Sequence, residues 1–127
     1  DIINGRSMSL CYPEYKIFSS SIVTGIIPIA TGKAFDIKRQ NQNERVYCFI
    51  GDMTSETGCF WENYQYSQNH CLPITWIVED NNKSVCTNTR KVFNTNILSY
   101  EKKSSIESYK YESVFPHAGP GGQRIQF

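Results

Sequence analysis

Two kinds of hydrophobic pattern alternate along this chain, and the change from one to the other marks its elements. Val46-Tyr47-Cys48-Phe49-Ile50 and Ile74-Thr75-Trp76-Ile77-Val78 are short, continuous apolar runs rich in strand formers, which predicts two strands buried on both faces. Between them Phe60, Tyr64 and Ser67 fall at helical spacing with Trp61 alongside, so a helix is expected over residues 55–70. Thr54 or Ser55 would cap it, Glu56 suits its first turn, and Leu72-Pro73 breaks it. Strand, helix, strand at this spacing is a βαβ unit, with parallel strands and a right-handed crossover.

Upstream, Gly25, Ile26, Ile29, Ala30, Gly32, Ala34 and Phe35 predict a second helix over residues 22–40, packed closely on a neighbour, with Pro28 in its first turn. Residues 1–21 read as an irregular approach and 38–45 as a polar turn. After Asn82 come a loop, a weaker helical stretch over 90–105 and a third strand at Tyr109-Lys110-Tyr111. Residues 117–122 read as a loop and 124–127 as a short edge strand. The expected fold is a single α/β domain across residues 1–127, a three-layer αβα sandwich with a mostly parallel sheet.

Composition narrows the function classes. At 127 residues, with 39% hydrophobic and 20% charged residues, the chain is an ordinary globular domain near the lower size limit for an α/β enzyme. A net charge of +1 and the absence of any charged block argue against nucleic acid or membrane as partner. Five cysteines form no CxxC pair, so a reducing, cytoplasmic compartment is expected rather than a disulfide framework. The chain begins at Asp1 without methionine, which reads as a trimmed or partial product, and a missing start would hide a signal peptide.

The candidate chemistry lies where the strands end. Gly51-Asp52 closes the first strand and Glu79-Asp80-Asn81-Asn82 follows the second. In an open parallel sheet, ligands collect beyond the carboxyl ends of the strands. Asp52, Asn81 and the backbone carbonyl of Lys83 would hold Mg2+, leaving positions for phosphate oxygens and water. Backbone amides after Asp52, at Met53 and Thr54, would face the phosphates. The plainer alternative is that Asp52 caps the helix and Asn81-Asn82 make a turn.

This stretch resembles the diphosphate-binding module of thiamine diphosphate-dependent enzymes, as in transketolases and the alpha subunits of 2-oxoacid dehydrogenase first components. That motif is Gly-Asp-Gly, then a helix and a strand, then Asn, often Asn-Asn. Here Gly51, Asp52 and Asn81 match it, and Gly58, Glu62, Tyr64, Leu72-Pro73 and Glu79 resemble the alpha subunits. Ile22-Val23-Thr24-Gly25 resembles the segment beside the aminopyrimidine, which places Val23 and Gly25 near the cofactor ring, and Gly5-Arg6-Ser7-Met8 resembles a further motif. Met53 replaces the second glycine and Ser9 a histidine usual in the family. The resemblance implies a thiamine diphosphate and Mg2+ enzyme acting on a small keto substrate. A pyrimidine-domain partner subunit, or a second copy in a homo-oligomer, would complete it.

His117, before a glycine-rich tail, is a candidate acid or base, although a lone loop histidine is more often structural. Trp61 and Tyr66 read as core or subunit interface, and His70 as a helix C-terminal residue. Two alternatives to the cofactor enzyme stand beside it. One is a non-catalytic α/β remnant that binds a partner. The other is a Mg2+ phosphohydrolase, for which no nucleophile or base near Asp52 is visible.

Overall fold

The computed structural model describes residues 9–112. Its elements are β1 (Cys11–Tyr12), β2 (Ile17–Phe18), α1 (Ile26–Arg39), β3 (Val46–Gly51), α2 (Gly58–Asn69), β4 (Ile74–Asp80), β5 (Lys83–Ser84), β6 (Thr87–Asn88), α3 (Thr89–Val92) and β7 (Glu107–Lys110). β3, β4 and β7 form a parallel sheet in that order, with Val46 opposite Ile74, Gly51 opposite Glu79 and Asp80 opposite Lys110. The α/β class and the parallel βαβ unit are therefore as the hydrophobic pattern has them.

Cys48, Ile50, Trp76 and Val78 point from the sheet into one core, joined by Ile27, Ala30 and Ala34 of α1 and Phe60 and Tyr64 of α2. Phe60 meets Trp76 edge to face, ring centroids 5.4 Å apart, worth about 1 kcal/mol beyond burial alone. The indole N–H of Trp76 is satisfied by the Ser67 hydroxyl, which itself donates to the Tyr64 carbonyl. Leu98, Tyr100 and Ile106 close the far side of this core.

Both long helices end in the same way. In α1 the amides of Asn41 and Gln42 return to the carbonyls of Lys38 and Ile37, and in α2 those of Cys71 and Leu72 return to Gln68 and Ser67. Asn41 and Cys71 take the left-handed conformation that this paired termination requires. Lys38 near the end of α1 donates to the His70 carbonyl at the end of α2. The two C-termini therefore lie together at the start of the strands, and the N-terminus of α1 points toward their carboxyl ends.

Several expectations change. α2 begins at Gly58 rather than residue 55, because Thr57 is its cap and residues 54–56 form a 3-10 turn. The buried face of α1 is Ile27, Ala30, Thr31, Ala34 and Ile37, so Ala30 and Ala34 pack closely on the core as expected, while Ile29, Gly32 and Phe35 are exposed. β3 is buried on one face only, with Tyr47 62% and Phe49 53% exposed. It is the sheet's edge, and among the described residues α1 and α2 share the opposite face. The approach segment carries the antiparallel pair β1–β2, and the predicted 90–105 helix is only α3 and a separate 3-10 turn over Ser99–Lys102. No helix among the described residues is long and apolar enough to cross a membrane.

Candidate functional site

Because Gly51 pairs with Glu79 across parallel strands, Asp52 and Asp80 come side by side at the carboxyl ends of β3 and β4, and Asn81 lies one residue farther out. Asp52 is 1% exposed. Neither of its carboxylate oxygens has a hydrogen-bond partner. Burial raises its pKa and the neighbouring charge of Asp80 adds to the rise; the Thr89 hydroxyl and the amides of Asp52 and Met53 only oppose it. Thr89 is near enough to exert that effect, yet its hydroxyl completes no hydrogen bond either. The backbone here is fixed independently, since the Ser55 hydroxyl donates to the Asp52 carbonyl at 2.7 Å. Asp52 therefore does not cap α2; the Thr57 hydroxyl does, accepting from the Phe60 amide.

Asp80, 2% exposed, is the opposite case. Arg90 clasps both its oxygens at 3.1 and 2.7 Å, the Tyr100 hydroxyl donates at 2.7 Å, and the Asn82 amide donates at 2.9 Å. Burial alone would raise its pKa, but these donors overcome that and hold it at about 2. Arg90 also reaches Glu101 at 2.9 Å, and Lys110 binds the other Glu101 oxygen at 2.8 Å. Two-pronged guanidinium–carboxylate pairing of this kind is among the strongest hydrogen-bond arrangements available to a side chain.

The segment after β4 is a turn built by its own asparagines. The Asn81 side-chain oxygen accepts from the Lys83 amide at 3.0 Å. Asn82 follows in the left-handed conformation, its side-chain oxygen accepting from the Arg90 amide at 3.2 Å and its carbonyl from the Thr89 amide at 3.2 Å. These bonds turn the β5–β6 hairpin and α3 back toward the strand tips, and Thr89 comes near enough to Asp52 to oppose the rise in its pKa. The turn-forming role of Asn81-Asn82 is thus realised. A cation would draw on the same Asn81 oxygen that now anchors the turn.

The other predicted residues fall as follows. Gly51 ends β3, and Met53 adopts an ordinary right-handed helical conformation, so methionine in the glycine position carries no backbone strain. The Thr54 carbonyl is taken by the amide and hydroxyl of Thr57. Val23, 54% exposed, and Gly25 belong to the turn before α1, at the same end of the sheet as Asp52. A Cβ at Gly25 would lie 2.8 Å from the Ser20 hydroxyl and 3.2 Å from the Ile22 carbonyl, so a side chain there would force the turn to shift. His117 and residues 5–8 and 124–127 lie outside the described residues. All five cysteines are unpaired.

Sequence reasoning missed Asp80, Thr89, Arg90, Tyr100 and Glu101. The only signal was the acidic pair Glu79-Asp80 ahead of the asparagines; Arg90 and Tyr100 arrive from a segment whose weak helical pattern gives no sign that it folds back over the strand tips. Among the described residues no three of His, Cys, Asp and Glu group as metal ligands. A cation at the strand tips would be held by one carboxylate with amide and carbonyl oxygens, a set that suits Mg2+. The orphaned carboxylate of Asp52 fits such an ion, because a buried charge without a partner is costly until a counter-charge reaches it.

Comparison with known proteins gives consistent matches. The profile of the family described as Dehydrogenase E1 component matches residues 3–104. Pyruvate dehydrogenase E1 component subunit alpha of Rickettsia prowazekii (strain Madrid E) is 27% identical over 112 residues, which is 87% of this chain and 34% of that protein. The alpha-3, chloroplastic form from Arabidopsis thaliana is 32% identical over 84 residues, 61% of this chain and 20% of that protein. The mitochondrial 2-oxoisovalerate dehydrogenase subunit alpha of Pan troglodytes is 26% identical over 96 residues, 73% of this chain and 22% of that protein. The chain spans about a third of the length of the curated relatives it matches first.

Proposed function

Because the chain belongs to the dehydrogenase E1 component family, we propose that it is the diphosphate-binding part of a thiamine diphosphate-dependent 2-oxoacid dehydrogenase alpha component. The names of its relatives, alpha subunits of pyruvate and 2-oxoisovalerate dehydrogenases, support oxidative decarboxylation over ketol transfer. The observation that carries the reading is the Asp52 carboxylate, buried and unpartnered at a strand tip beside Asn81.

In this reading Asp52 and the Asn81 carboxamide bind Mg2+ with the Lys83 carbonyl, and the cation neutralises a charge that is already desolvated. Gly51, Met53 and Thr54 run along the diphosphate; Val23 and Gly25 border the ring. When bound, thiamine diphosphate supplies a carbon nucleophile that adds to a 2-oxo acid and takes up the electron pair released with carbon dioxide. A partner subunit, in the cytoplasm with this chain, supplies the pyrimidine-binding half. The chain alone holds the cofactor and turns nothing over.

Calorimetric titration of the full chain with thiamine diphosphate and Mg2+ tests this. Saturable binding is expected in the wild type and none in Asp52→Asn. Silence from the wild type, alone and with an E1 beta-type partner, would favour the non-catalytic partner-binding remnant.

A further inference from the structure

The buried side-chain oxygens without any hydrogen-bond partner among the described residues are three, and they belong to two neighbours: both oxygens of Asp52 and the hydroxyl of Thr89. Thr89 is fully buried. Its backbone is committed, with the amide on the Asn82 carbonyl at 3.2 Å and the carbonyl accepting from Phe93 at 3.1 Å. The next residue, Arg90, is clamped on Asp80. Thr89 is therefore held in place from both sides while its hydroxyl stays unspent. Packing alone does not explain a threonine there, since valine has the same shape and leaves no buried hydroxyl unsatisfied.

We propose that Thr89 is a positioning residue for Asp52: once a cation is bound, its hydroxyl, without a partner until then, donates to the carboxylate oxygen that turns away from the cation and so fixes the one that faces it. This rests on the cofactor reading above. Such outer-shell donors commonly orient a ligating carboxylate and tune its affinity. The segment after β4 thereby contributes to the metal site three times, through Asn81 and the Lys83 carbonyl directly and through Thr89 by way of Asp52.

The test compares wild type, Thr89→Val, Thr89→Ser and, as a second hydroxyl-free variant should valine fail to fold, Thr89→Ala. Each full chain is titrated with Mg2+ at saturating thiamine diphosphate, and each is melted without ligand. Thr89→Val should melt at or above the wild-type temperature yet bind Mg2+ about tenfold more weakly, whereas Thr89→Ser stays within about twofold. A merely structural threonine would show the reverse, a lower melting temperature with unchanged affinity, and that result overturns the proposal. Equal affinity in wild type and both hydroxyl-free variants overturns it while leaving the cofactor reading intact. Absence of binding in the wild type, alone and with an E1 beta-type partner, overturns both.

Discussion

Asp52 and Asp80 are the same residue type on adjoining parallel strands, 1% and 2% exposed, and their surroundings are opposite. Asp80 has three donor groups of the following segment converging on it: Arg90, Tyr100 and the Asn82 amide. Asp52 has none that completes a hydrogen bond. A buried carboxylate stabilises a fold only when its lone pairs are matched, and otherwise it costs several kcal/mol or waits for a ligand. The contrast separates two jobs within a few ångströms of backbone. The tip of β4 is braced to hold the loop that follows, and the tip of β3 is buried with its carboxylate oxygens unmatched.

The sharpest way to break this comparison is to neutralise the braced member. Asp80→Asn leaves Arg90, whose side chain is only 18% exposed, facing Glu101 without its main partner. A loss of about 3 kcal/mol is expected in urea denaturation, because removing one half of a buried pair strands the other. A loss no greater than that of a surface substitution would show that the cluster does not hold the 81–105 segment.

Asp52→Asn should act with the opposite sign, raising stability by about 1–2 kcal/mol near pH 7 while removing cofactor binding, since an unsatisfied buried charge is replaced by a neutral amide. The pH dependence follows from the direction of each shift. The Asp52 pKa is raised in the fold, so its penalty is absent below the ordinary value of 3.8 and grows as pH rises through the folded pKa. The Asp80 pKa is lowered to about 2, so its contribution is complete above 3.8 and is lost as pH falls through about 2. Melting temperatures across the acid range should therefore show the Asp52→Asn advantage closing first. The Asp80→Asn deficit should persist to lower pH. A single coincident transition for both variants would mean that the two carboxylates share one environment.

How much of this was legible in the sequence depends on how local each feature is. β3, α2 and β4 follow from contiguous apolar runs and a helical spacing, and the tips of strands are legible once the strands are. Hence Asp52 and Asn81 could be nominated as neighbours. The choice between capping and ligation could not be made, because it turns on whether a carboxylate has partners, and Thr57 rather than Asp52 proved to be the cap. Asp80, Thr89, Arg90 and Tyr100 were out of reach for another reason. Their meeting depends on a left-handed Asn82 and a short hairpin that fold the following segment back over the sheet. The exposure of Tyr47 and Phe49 was misjudged because an apolar run does not say how many layers cover it.

The smallest expected effect addresses how the tip of β3 is itself supported. Glu56, in the 3-10 turn just after Asp52, accepts from the Ser99 amide at 2.7 Å and the Ser99 hydroxyl at 2.8 Å. This ties the turn to the 3-10 segment that carries Tyr100 and Glu101, so a thread runs from one aspartate's loop to the other's brace. Glu56→Gln keeps one acceptor oxygen and loses the charge, and should cost about 1 kcal/mol. Hydrogen exchange should quicken at Ser99 and its neighbours. If protection at Asn82 and Arg90 is untouched, the two tips open independently, and a ligand ordering Asp52 need not tighten the Asp80 cluster. If exchange quickens at both sites together, the tips are one cooperative unit. Cation binding at Asp52 would then stiffen the whole carboxyl edge of the sheet through Glu56 and Ser99.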